Sequence, residues 1–101
     1  MDSFFKEPEQ LAALCSAHHV LRLEVFGSMA AGEETESSDI DFLVEFDDSA
    51  DANRFDNYFH FRDALKNLYG RPIDLVEAEG LRNPYFIESV NETRKVVYDA
   101  S

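Results

Sequence analysis

The spacing of apolar residues changes period several times along this chain, and each change marks an element. From Glu7 to His18, Leu11, Leu14 and Cys15 recur about every 3.6 residues, which predicts a helix. From Val20 to Phe26, Leu21, Leu23 and Val25 alternate with Arg22 and Glu24, which predicts a strand. Gly27 ends that strand, and a short turn or helical start through Met29-Ala30-Ala31 leads past Gly32 into a polar loop. A second strand is expected over Asp39 to Phe46. The acids of Asp47-Asp48-Ser49-Ala50-Asp51 suit a helix entry, because they complement the exposed amides of a first turn. The helix runs to Tyr69, with Phe55, Tyr58, Phe59, Leu65, Leu68 and Tyr69 largely on one face, so its aromatics are expected in the core rather than as a base-stacking platform. Gly70 stops it. Pro72 to Glu77 reads as a third strand, Asn83-Pro84 as the capped start of a helix running near Asn91, and Val96-Val97-Tyr98 as a short terminal strand. The expected class is α+β in the order α-β-β-α-β-α, with helices covering one side of a small mixed sheet.

A chain of 101 residues is expected to form one domain, residues 1–101, without room for a separate substrate-recognition unit. Its 45% apolar content supports a folded core. The formal charge of −12, from 21 acids against 9 Lys and Arg, argues against direct nucleic-acid binding and favours a basic or neutral protein partner. No apolar run approaches the roughly 20 residues of a membrane helix, and the N-terminus lacks a signal-peptide pattern, so a cytoplasmic location is expected. The single Cys15, at helical spacing with Leu11 and Leu14, reads as a small buried side chain. His18, His19 and His60 have no zinc-like spacing and read as ordinary surface or boundary residues.

The chemistry concentrates in Gly27-Ser28, followed after ten residues by Asp39-Ile40-Asp41. Alternate side chains of a strand face the same way, so Asp39 and Asp41 project together while Ile40, Phe42 and Val44 point toward the core. Asp74, between Ile73 and Leu75 on the third strand, completes the set if the strands pair. Crowded carboxylates repel one another and raise at least one pKa, whereas a hard cation such as magnesium turns them into ligands. Two such ions could serve an in-line displacement at an α-phosphate. Gly27 lets backbone approach a phosphate, and the Ser28 hydroxyl with neighbouring amides can donate hydrogen bonds to it. Metal-dependent nucleotidyl transfer is the reaction this combination suits. Arg22, Arg54, Arg62, Lys66 and Arg71 read instead as solvated or paired cations.

With Val25-Phe26 before the signature, Gly32 within it, Ser38-Asp39-Ile40-Asp41 at its end and Leu81-Arg82-Asn83-Pro84-Tyr85 later, the chain resembles the minimal nucleotidyltransferase (MNT) family of the polymerase-beta-like superfamily. The resemblance implies the nucleotidyltransferase fold, with Asp39, Asp41 and Asp74 as catalytic magnesium ligands and Gly27 and Ser28 binding the nucleotide. It further implies an antitoxin of the MntA kind that transfers AMP from ATP to a tyrosine of a HEPN-domain toxin. The alternative is a weak or inactive subunit that neutralises its partner by binding. Where family members commonly carry arginines, this chain has Met29 and Ala31, and from Glu24 to Asn53 there are ten acids and no Lys or Arg. At 4 Å and an effective dielectric near 20, each like-charge contact costs roughly 4 kcal/mol, so nucleotide binding is expected to collapse without divalent metal.

Overall fold

A computed structural model describes residues 8–32, 39–47 and 54–100. The elements run α1 (Pro8–Ala17), β1 (Val20–Phe26), α2 (Ser28–Ala31), β2 (Ile40–Phe46), α3 (Arg54–Tyr69), β3 (Ile73–Glu77), a 3-10 turn (Ala78–Gly80), α4 (Pro84–Thr93) and β4 (Lys95–Asp99). The strands form one mixed sheet in the order β3-β2-β1-β4. β1 pairs antiparallel with β2 and with β4, and β2 pairs parallel with β3. The expected α+β architecture is therefore present, with α2 formed as a single turn and the terminal strand in place.

Local signals account for most boundaries. α1 ends at His18 and His19, where the His18 ring nitrogen Nδ1 bonds the Leu14 carbonyl at 2.8 Å and His19 takes a left-handed φ of 61°. α3 ends at Gly70, whose φ of 68° is open to glycine without strain. Asn83 caps α4 as expected, its side chain accepting from the Tyr85 and Phe86 amides, while Pro84 supplies the preset first position. The acidic entry expected over Asp48 to Asp51 lies outside the described residues.

The main core lies between the sheet and the pair α1 and α3. Leu11 and Cys15 of α1 meet Leu23 and Val25 of β1, Ile40, Phe42, Val44 and Phe46 of β2, and Phe61 and Leu65 of α3. Burial pushes the Cys15 thiol up to about 12, so it behaves as an apolar filler. Phe61 is fully buried, and its removal to alanine would cost about 3–5 kcal/mol. The expectation of helices on one side only is corrected, since α1 and α3 cover one face and α4 the other. Across the sheet, Val90 of α4 joins Phe26 and Leu43 in a smaller cluster, so α4 lies on the opposite face.

Three further expectations are corrected. Phe55 is 73% exposed rather than core, because the row through Tyr58, Phe61, Leu65 and Leu68 turns toward the sheet, and Phe55 meets Phe59 edge to face beside it. Leu21 is exposed because a register shift between Val20 and Arg22 takes it out of the alternation. Glu24, expected on a polar face, is only 4% exposed because the α4 side of the sheet is covered as well.

Candidate active site

The sheet brings the predicted acids to one corner. β2 and β3 pair in a register that sets Asp41 opposite Asp74, and β1 pairs with β2 so that Phe26 lies opposite Asp41. Gly27, the next residue, therefore turns directly over the Asp41 carboxylate. Ile40, Phe42 and Leu75 are buried, while Asp39 and Asp74 are exposed and Asp41 is half-buried. The alternation read from the sequence holds on both strands.

Asp41 is the most perturbed acid of the group. Its pKa is pushed up to about 6, first by burial, then by the negative charges of Asp74 and Asp39, and finally by a hydrogen bond with Asp74. The close pair is thus Asp41 and Asp74, with Asp39 near enough to add its field. Among the described residues no three His, Cys, Asp or Glu side chains are gathered as a ready-made metal cage. The donor set itself, all carboxylate oxygen whose mutual repulsion raises the Asp41 pKa, fits a hard divalent ion.

Gly27 is required at its position for two reasons. Its φ is 73°, and a Cβ there would overlap an oxygen of the Asp41 carboxylate. Its carbonyl accepts from the Ala31 amide at 3.0 Å, closing the turn of α2. Its own amide donates to Thr93 Oγ1 at 2.9 Å, so that N–H points toward α4, and any backbone donors to a phosphate must come from beyond it. Ser28 stands at the first position of α2.

A second polar cluster lies on the same face. Arg94, which follows α4, donates from Nε to Glu24 Oε1 at 3.0 Å and from Nη2 to Glu24 Oε2 at 2.5 Å, and Arg22 Nε stands 3.8 Å from Glu24 Oε2. Arg62 lies over the Phe59 ring at 4.7 Å and 3.8 Å from Asp63. Arg22 and Arg62 are accordingly paired cations, as expected. Thr93 and the Glu24–Arg94 pair were not legible as site supports: the contacts span 66 and 70 residues, and no local spacing encodes them.

This geometry coincides with a family relationship covering most of the chain. Residues 8–97 match the nucleotidyltransferase domain, and the chain belongs to that family. It is 41% identical over 75 residues, 74% of each chain, to a Methanocaldococcus jannaschii protein named as a candidate protein adenylyltransferase. It is 30% identical over 83 residues, 74% of this chain and 81% of the other, to the protein adenylyltransferase MntA of Thermococcus cleftensis. A solved structure described as a candidate minimal nucleotidyltransferase superposes with a TM-score of 0.74 at 32% identity, covering 93% of this chain and 92% of that one. The fold is also shared, with a TM-score of 0.65 at 16% identity over 96% of this chain and 73% of the other, by a complex of a tri-AMPylated Shewanella oneidensis HEPN toxin with its MNT antitoxin.

Proposed function

We propose that this chain, acting as one domain in the cytoplasm, transfers AMP from ATP to a tyrosine hydroxyl of a HEPN-type toxin and thereby serves as its antitoxin. The observation that carries the reading is the register that sets Asp41 opposite Asp74 across β2 and β3, with the charge of Asp39 beside them, against the bare backbone of Gly27. The acceptor class is supported by the adenylyltransferase relatives and by the AMPylated toxin complex that shares the fold.

In such a transfer the acceptor oxygen bonds to the α-phosphorus, the bond to the bridging oxygen breaks and pyrophosphate leaves. The hydroxyl proton would pass to a carboxylate oxygen, and Asp74, exposed on β3, is the acid assigned to that role. Asp39, Asp41 and Asp74 would hold magnesium, in a two-ion arrangement, which when bound supplies charge neutralisation at the α-phosphate and the departing pyrophosphate. Gly27 leaves the space above Asp41 unfilled by any Cβ, and Ser28 with the amides that follow would meet the phosphates.

Co-expression with the adjacent gene product, followed by intact-mass measurement, tests the reading. Mass increments of AMP on that partner, lost with Asp41→Asn while binding survives, are expected; labelling that persists in Asp41→Asn would overturn the assigned site. A second reading, neutralisation by binding alone, is favoured by Met29 and Ala31 and by the absence of any Lys or Arg from Glu24 to Asn53. Under that reading the partner is captured with no adduct.

A further inference from the structure

We infer that Thr93 is a positioning residue for nucleotide binding, holding the Gly27 bend in one orientation from the far end of the chain; the inference rests on the nucleotidyl-transfer reading of this site. Glycine is the residue freest to reorient its peptide planes, and Gly27 has a φ of 73°. Here both of its backbone polar groups are committed, the carbonyl to the Ala31 amide at 3.0 Å and the amide to Thr93 Oγ1 at 2.9 Å. The first bond is internal to α2 and would move with it. The second is a tether to a different element, and it fixes the bend relative to the sheet.

The tether is itself well anchored. Thr93 is half-buried at the last position of α4, and its β-branched side chain has few rotamers. Arg94, the next residue, closes the helix by donating its amide to the Val90 carbonyl at 2.8 Å and grips Glu24 of β1 with two guanidinium bonds. Val90 is packed with Phe26 and Leu43. The end of α4 is therefore pinned to β1 at Glu24 and to the bend at Gly27. With the Gly27 amide turned toward Thr93, the bend presents its bare Cα side to the Asp41 carboxylate. Releasing the amide would let the bend sample orientations that no longer frame a phosphate beside the acids.

Two measurements on the full chain test this: hydrogen exchange at the Gly27 amide without ligand, and the affinity for ATP with magnesium. Thr93→Val keeps the shape and removes the acceptor. It is expected to speed Gly27 exchange about tenfold and weaken ATP binding about five- to tenfold, the scale of one hydrogen bond. Thr93→Ser is expected to stay within about twofold of the unaltered chain in both, since its hydroxyl can restore the acceptor. ATP affinity unchanged in Thr93→Val, with or without faster exchange, would overturn the inference. If Thr93→Val does not fold, Thr93→Ala is read by the same two measurements and the same criteria. Asp41→Asn is expected to lower AMP transfer about 1,000-fold while leaving Gly27 exchange slow. ATP binding without transfer to any partner would overturn the proposed reaction and leave Thr93 judged on affinity alone, whereas no ATP binding by the unaltered chain would overturn both.

Discussion

Glu24 and Asp41 sit on neighbouring strands and on the same face of the sheet, yet their charges are treated in opposite ways. Glu24 lies opposite Leu43, is 4% exposed and receives two guanidinium bonds from Arg94. Asp41 lies two residues further toward the acidic corner and meets another carboxyl group instead of a cation. The first arrangement closes a structure, since every oxygen of the carboxylate has a donor. The second leaves negative charge concentrated, with no cation among the groups that perturb Asp41, which is the electrostatic setting the proposed cation site requires. Burial of an acid thus says little about its role until its partner is known.

The contrast can be broken most severely at the corner. Asp41→Asn is expected to lower AMP transfer by about 1,000-fold, because it removes a charge that would act in the reaction, and label transfer from α-labelled ATP measures it. At the other acid the expected loss is of stability. Arg94→Ala strands Glu24 and should destabilise the fold by about 2 kcal/mol in urea denaturation, below the range for a fully buried pair because the Arg94 side chain is 36% exposed. Replacing both partners, Glu24→Leu with Arg94→Met, should recover most of that loss, since neither change then leaves a lone charge.

A smaller effect separates the two acids by pH. The folded-state pKa of Asp41, raised to about 6, lies above the ordinary carboxylate value near 3.9. Between these values the folded chain holds more protons than the unfolded one, so in metal-free buffer this group's contribution is fully present below about pH 4 and is lost as pH rises through 6. Asp41→Asn should therefore raise stability at pH 7 by on the order of 1 kcal/mol, and should do so less at pH 4, as urea midpoints at the two pH values will show. The smallest expected effect is a rise of a few degrees in melting temperature on adding millimolar magnesium to the unaltered chain, absent in Asp41→Asn. An equal rise in both would remove Asp41 from the metal site.

Much of the architecture was legible because it is written in local patterns. The alternation around Ile40, Phe42 and Val44 sets the buried face of β2, and it necessarily sends Asp39 and Asp41 to the other. Asn83-Pro84 and Gly70 mark helix boundaries through their own backbone preferences. Phe55 was misjudged because periodicity reports which residues share a stripe, without reporting how far along the helix the sheet extends beneath it. Glu24 was misjudged for a related reason: an alternating strand announces two faces, but nothing within the strand says that α4 will cover the second.

The sequence by itself determined the order of elements, the inward and outward sides of β2 and β3, and the residue types able to carry phosphate chemistry, since each depends on neighbours a few positions away. Only the tertiary structure decided that β3 adds parallel to β2 with Asp74 opposite Asp41, that Thr93 takes the Gly27 amide, and that Arg94 rather than a closer cation satisfies Glu24. Those contacts join residues 33 to 70 positions apart, and they depend on burial of the two apolar clusters to hold the elements together.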